Sequence, residues 1–125
     1  MQSYFNKLET KEIGKNLIYS KETTSTQIIL NSSFSTLESH GLAYLTDIQT
    51  TGKGRGNNQW TSPAGCLMFS FRTIQTDGIK LPMVQYLVSL AQIKTIKSFS
   101  PALDVAIKWP NDLYTKRTTK IGGEL

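Results

Sequence analysis

The chain has one cysteine, one histidine and four prolines among its 125 residues. A single thiol cannot staple the fold on itself, so a disulfide scaffold is excluded and Cys66 is expected to be a small buried apolar residue. With His40 as the one imidazole, nothing visible assembles a thiol–imidazole catalytic pair. No apolar run reaches the ~18–20 residues that a membrane span requires. The leading stretch MQSYFNKLETKEIG lacks an apolar h-region, and Glu9 and Glu12 are out of place in a transit peptide. A cytoplasmic protein without a membrane partner is expected, with an organellar form left open. Asn31-Ser32-Ser33 matches a glycosylation sequon, which without an export signal is read as chance.

Also lacking are repeats, low-complexity tracts and Pro/Gly/Ser-rich linkers. Hydrophobic residues make up 38% and charged residues 18%, the balance of a globular domain with one apolar core. The net charge is +5, yet the 14 basic residues are scattered and form no dense stripe. From Ile48 to Thr76 there is no acid, while Lys53, Arg55 and Arg72 are present. That local excess suits a small anionic ligand better than DNA.

Periodicity supplies the elements. Residues 1–14 read as a polar lead-in and Leu17-Ile18-Tyr19 as a short strand. Thr24-Ser25-Thr26 can cap a helix carrying Ile28, Ile29 and Leu30 and ending near Asn31 to Ser33, because hydroxyl oxygens accept first-turn amides. A strand is expected over Leu42 to Ile48, and a loop over Gln49 to Gly65, which holds four glycines. Leu67, Phe69 and Phe71 alternate with Met68, Ser70 and Arg72 as in a strand. Pro82 suits a first helical turn, and the following run to Ile96 leaves only a narrow polar stripe, so this helix is expected to be largely buried against a sheet. Val105, Ile107 and Trp109 share one face of the next strand, with Ala106 and Lys108 on the other. Lys120 onward begins a last strand. Without a regular βαβ rhythm, the expected fold is α+β, a mainly antiparallel or mixed sheet with helices on one side.

Two segments carry chemistry. In Gln49-Thr-Thr-Gly-Lys-Gly-Arg-Gly56, the glycines Gly52, Gly54 and Gly56 allow close backbone approach, so amides can converge on an anion while Lys53 and Arg55 add full charge. Neither a Walker A loop nor a G-x-G-x-x-G fingerprint is present. A glycine-rich basic loop by itself serves equally as a surface loop without a ligand. In Lys108-Trp-Pro-Asn-Asp112, Pro110 forces a turn that presents a carboxylate. Beside a phosphate, Asp112 can hold Mg²⁺ and Lys108 can neutralise developing charge, although a Pro-Asn-Asp turn alone is ordinary.

Ser25-Thr26, the Gln49–Gly56 loop, Trp60-Thr-Ser-Pro63 with Gly65, Lys108-Trp-Pro-Asn-Asp112 and Lys120-Ile-Gly-Gly123 occur in the order and approximate spacing of the biotin–protein ligases. The loop GKGRGNNQWTSPAGC is most similar to the eukaryotic holocarboxylase synthetases. The resemblance covers Leu17 to Leu125. It implies a class II aminoacyl-tRNA synthetase-like fold (the biotin/lipoate ligase fold), incomplete here, with a partial catalytic domain over 15–125. It also implies that biotin and MgATP give biotinyl-5′-AMP and pyrophosphate, and that a lysine of a carboxylase's biotin carboxyl carrier domain then takes the biotinyl group.

Carried over by position, Ser25, Thr26 and Gln49 would meet the ureido ring, and Gln27 would also bind biotin. Gly52, Lys53, Gly54 and Arg55 would cover biotin, with Lys53 and Arg55 also reaching the adenylate phosphate. Trp60 would wall the valeryl chain. Asn111 and Asp112 would face ATP, with Asp112 on the metal, and Lys120 would meet the reacting carboxylate and phosphate. Arg55, Lys108 and Lys120 are the catalytic candidates. There are departures: Gln27 stands where many bacterial members have Asn, and Asn57 and Asn58 replace residues that are basic in many bacterial loops. The stretch before the core is too short for the winged DNA-binding domain of repressor-type ligases, so no DNA partner is expected. The alternatives are a non-catalytic biotin-binding fragment and a lipoate or octanoyl transferase, whose Arg-Arg, Gly-Gly-Gly and His segment is missing.

Overall fold

A computed structural model describes residues 6–34, 40–74, 76–116 and 118–125, so the first five residues of the lead-in lie outside it. The chain divides into two compact units, 1–74 and 75–125. Each is taken by itself.

The first unit is built on β1 (Leu17–Thr23), α1 (Thr26–Ser33), β2 (Ala43–Gln49), β3 (Gly52–Lys53), β4 (Gln59–Trp60) and β5 (Met68–Phe71). Its three-stranded sheet has the order β1-β2-β5. β1 runs parallel to β2, Leu17 opposite Ala43, and β5 runs antiparallel, Phe71 opposite Ala43. Parallel neighbours need a crossover, and α1 supplies it, so the sheet is mixed and holds one βαβ step without a regular βαβ rhythm. Leu30 of α1 is buried with Leu42 and Tyr44, and Ile18, Ile29 and Phe34 pack around them. Burying a leucine in this way contributes about 1.5–3 kcal/mol. On the same sheet face lie Ser20, Thr46, Met68 and Ser70, so polar groups share the ground beneath α1. Phe69 and Phe71 occupy the opposite face, with ring centroids 6.5 Å apart.

The segment expected to be one loop, Gln49 to Gly65, instead contains a two-stranded hairpin, Gly52 opposite Trp60 and Lys53 opposite Gln59. Two-residue strands offer no alternation to detect, which is why periodicity missed them. Gly56, at φ +63°, turns the tip. Cys66 is exposed rather than buried. It closes a turn in which its N–H donates to the Pro63 carbonyl at 3.2 Å. Leu67, expected within the strand, lies before it and is exposed.

The second unit comprises a 3₁₀ turn (Gly78–Lys80), α2 (Leu81–Phe99), β6 (Val105–Lys108), β7 (Asp112–Thr115) and β8 (Thr119–Gly123). The three strands form an antiparallel meander. Val105 and Leu113 are buried on one face, and α2 packs on β6. The helix is less covered than expected: Leu81, Met83, Tyr86, Leu87 and Leu90 are exposed. A helix apolar nearly all round still presents only one stripe to one sheet. Trp109 is corrected as well. β6 ends at Lys108, and Trp109, at 72% exposure, is not on the face of Val105 and Ile107. Its bond to Pro110 is cis. The mixed α+β character of the described residues matches the expectation.

Candidate functional site

In the first unit the side chains that matter converge at the start of α1. Ser25 is 2% exposed and Thr26 4%. Ser25 occupies the N-cap position with extended backbone, but its side chain makes no capping bond. The acceptor comes instead from β2. The Thr26 N–H donates to Gln49 Oε1 at 2.8 Å, and the Thr26 hydroxyl donates to the same oxygen at 3.1 Å. Thr26 Oγ1 also lies 2.8 Å from Ser70 Oγ on β5. The other end of the Gln49 amide donates to Ser62 Oγ at 3.3 Å. Capping is thus done across the fold by a glutamine rather than locally by a serine.

The hairpin is pressed close to this network. A Cβ added to Gly52 would stand 2.6 Å from the Trp60 carbonyl oxygen and 3.3 Å from Gln49 Nε2, so only glycine fits. Beyond it the Gly54 N–H donates to the Asn58 carbonyl at 2.8 Å, and the Asn58 N–H to the Arg55 carbonyl at 3.3 Å. Those bonds hold Lys53 and Arg55, both exposed, on an ordered turn. Gln27 and Trp60 are half-buried. The loop's root is tied down by the Thr50 and Thr51 N–H groups, which donate to the Thr23 and Thr24 carbonyls, each at 2.9 Å.

In the second unit the register collects the polar residues on one sheet face. Lys108 pairs with Asp112, Ala106 with Tyr114, and Tyr114 with Lys120, while a bulge at Leu113/Tyr114 lets Lys120 reach diagonally. Lys120 Nζ sits 2.7 Å from Asp112 Oδ1, with both side chains partly exposed. Lys108 Nζ stands 5.3 Å from the centre of the Tyr114 ring. Ala106, Ile107, Lys108 and Tyr114 line a shallow hollow. A Cβ on Gly123 would come within 3.0 Å of Asp112 Oδ1, so this glycine leaves room for the carboxylate.

Asn111 is buried, and it is fixed by residue 124. The Glu124 N–H donates to the Asn111 carbonyl at 2.9 Å, and Asn111 Nδ2 donates back to the Glu124 carbonyl. Glu124 Oε2 accepts from the hydroxyl of Ser89, a fully buried residue of α2, at 2.8 Å. Its Oε1 is buried and meets no donor among the described residues. Burial raises the Glu124 carboxyl above its ordinary range; the Ser89 bond and Lys120 oppose that, and Asp112 adds to it. Sequence reasoning singled out neither Glu124 nor Ser89 nor Ser70. A carboxylate directly after Gly-Gly and a serine amid the apolar stretch of the helix were the available signals.

The first unit therefore brings Ser25, Thr26 and Gln49 together with Gly52 and the root of the basic hairpin. The second brings Lys108, Asp112 and Lys120 onto one face beside Asn111. Among the described residues no cluster of three or more His, Cys, Asp or Glu could enclose a metal. Asp112 suits the looser mode in which Mg²⁺ takes one carboxylate and draws its other ligands from phosphate and water.

An α+β chain with a glycine-hinged hairpin and a carboxylate–lysine corner belongs to the ligase-like class of folds that the five motifs anticipate. More particularly, the family model described as the biotin/lipoate A/B protein ligase family matches residues 17–125, and the chain belongs to that family. It is 42% identical over 127 residues to biotin–protein ligase 1, chloroplastic, of Arabidopsis thaliana, covering 98% of this chain and 34% of that protein. It is 36% identical over 132 residues to the human biotin–protein ligase, covering 100% and 18%. The chain thus spans about a third or less of these relatives' length. Among solved structures, the Leishmania major biotin protein ligase in complex with biotin matches with TM-score 0.76 and 28% identity, over 89% of this chain and 50% of that one. The Aquifex aeolicus enzyme in complex with biotin and ATP matches with TM-score 0.69 and 34% identity, over 89% and 46%. The resemblance and the fold class are both borne out.

Proposed function

We propose that this chain is the biotin-holding and nucleotide-handling part of a biotin–protein ligase. In this reading the biotin carboxylate oxygen attacks the α-phosphorus of ATP, an O–P bond forms, and pyrophosphate leaves. A lysine amine of a biotin carboxyl carrier domain then attacks the acyl carbon, forms the amide and displaces AMP. The observation that carries the reading is the Thr26–Gln49–Ser62 cradle closed by Gly52. It is a set of neutral hydroxyl and amide groups at the root of a cationic hairpin, suited to a vitamin with a neutral ureido ring and an anionic tail.

Ser25, Thr26, Gln27 and Gln49 take the ureido end, and Trp60 gives the valeryl chain an apolar wall. Lys53 and Arg55, on the hairpin with Gly52 and Gly54, close over the carboxylate and the adenylate phosphate. The first step joins two anions, so cations must offset their repulsion before the atoms meet. Lys120 and Lys108 supply that charge in the second unit. Lys120 is held at Asp112, so it is positioned before substrate arrives. Asn111 and Asp112 face the nucleotide, and Asp112 is the residue that would hold Mg²⁺, which screens the phosphates when bound. A closed hairpin also excludes water from the mixed anhydride, which would otherwise hydrolyse.

The test is biotin-dependent ATP–pyrophosphate exchange by the purified protein, with and without Mg²⁺. Exchange that needs both biotin and Mg²⁺ is expected. Biotin binding without exchange would reduce the function to holding the vitamin, and lipoate-dependent exchange without a biotin response would replace the substrate.

A further inference from the structure

Asp112 stands at the end of a strand ladder in the second unit, where pairing is easily lost. On the reading that Asn111 and Asp112 handle the nucleotide, we infer that Glu124 is the positioning residue of that corner. Its backbone clasps Asn111, and its carboxylate ties the clasp to Ser89 of α2.

The pairing of β7 with β8 stops where Asp112 meets Gly123. Strand ends fray, and an open end here would release the carboxylate that the reaction needs in place. The clasp stands one step further out. The Glu124 N–H donates to the Asn111 carbonyl at 2.9 Å, as one more rung of the ladder would. The return bond to the Glu124 carbonyl comes from Asn111 Nδ2, so a side chain completes the exchange that two antiparallel residues make through their backbones. Asn111 is buried, and water offers little replacement for either bond.

A backbone rung by itself needs no carboxylate at position 124. The side chain does something further. Ser89 lies in the middle of the 19-residue α2 and is fully buried. A serine inside a helix commonly turns its hydroxyl back to the carbonyl of the preceding turn. This hydroxyl has one proton and gives it to Glu124 Oε2 at 2.8 Å, which joins residues 35 positions apart. Glu124 Oε1 is buried without a donor among the described residues. A half-satisfied carboxylate opposes folding, so packing alone would favour an apolar side chain there.

What the carboxylate adds is a fixed position. The same helix packs on β6, whose Lys108 is the register partner of Asp112. Asp112 is thereby held from both neighbouring strands by one element, through packing on the β6 side and through the Ser89–Glu124 tie on the β8 side. Glu124 and Ser89 act through Asn111 and Asp112 and need not touch the nucleotide themselves.

The test follows biotin-dependent ATP–pyrophosphate exchange with MgATP and biotin varied separately. Glu124→Ala should raise the KM for MgATP about tenfold, as when a partner that orients a ligating group is lost, and leave the KM for biotin unchanged. Ser89→Ala should shift the same constant in the same direction. The double variant should be no worse than Glu124→Ala, because both substitutions cut one tie. Glu124→Gln, which keeps an oxygen for the Ser89 hydroxyl, should restore the wild-type value. Ser89→Ala reads the tie independently if Glu124→Ala does not fold. Either folded variant with an unchanged KM for MgATP, or with a lower kcat alone, would reduce Glu124 to a support of the fold and overturn the inference, leaving the ligase reading in place. Wild-type protein without biotin-dependent exchange would overturn both.

Discussion

The two units hold their functional side chains by different physics. In the first, neutral groups are locked by hydrogen bonds among buried Thr26 and half-buried Gln49, Ser62 and Ser70. In the second, a partly exposed ion pair, Asp112 with Lys120, rests on a turn fastened through the backbone of Asn111 and Glu124. A neutral network is rigid and selective, because any unpaired member is penalised. An exposed pair contributes little stability and leaves its charges available to exchange partners.

Substitutions can break each side of the contrast. The largest effect is expected from Gly52→Ala. Its Cβ meets the Trp60 backbone oxygen at 2.6 Å, which only a shift of the hairpin relieves. Biotin affinity by calorimetry should drop by more than about a hundredfold, of the order expected from ~3 kcal/mol of lost contacts and strain. Next comes Asp112→Asn, which removes the partner of Lys120 and the carboxylate for Mg²⁺. Pyrophosphate release should fall about ten- to a hundredfold, with the melting temperature almost unchanged, since an exposed pair contributes ~0–1 kcal/mol.

Gln49→Leu should cost about 1 kcal/mol in denaturant unfolding, the usual toll of losing a helix cap, besides its effect on biotin. A stability equal to wild type would show that Gln49 does not cap α1. The smallest effect concerns Glu124. Its carboxyl is raised above the reference value of 4.5, so the fold favours the protonated form. The contribution to stability is therefore full below the unfolded value and is lost as pH rises through the raised one. Glu124→Gln should flatten that slope, so the variant gains melting temperature relative to wild type toward neutral pH. A parallel pair of melting curves across the range would contradict it.

Much of the make-up of the candidate site was legible in the sequence. Glycines alternating with cations, a proline-anchored carboxylate and a Lys-Ile-Gly-Gly run are chemically unusual, so their order carries information. The hydrogen-bonded network of Thr26, Gln49, Ser62 and Ser70 was not legible. Ser62 and Ser70 are ordinary residues whose role exists only because α1, β2 and β5 meet. Local rules pointed to a hydroxyl of Thr24-Ser25-Thr26 as the cap, whereas the acceptor came from Gln49, far along the chain on β2. The strand readings held where alternation ran through four residues or more, as in β5 and β6, and failed for the two-residue β3 and β4. Trp109 was misplaced because alternation was carried one residue past the end of β6. Cys66 was misjudged because a composition rule says nothing about a turn.

The division of labour between the units is tested most directly by a kinetic split in biotin-dependent ATP–pyrophosphate exchange. Thr26→Val, which deletes one hydroxyl from the neutral cradle, should raise the KM for biotin and leave that for MgATP unchanged; Asp112→Asn should do the reverse. Both variants raising both constants in equal measure would contradict the account.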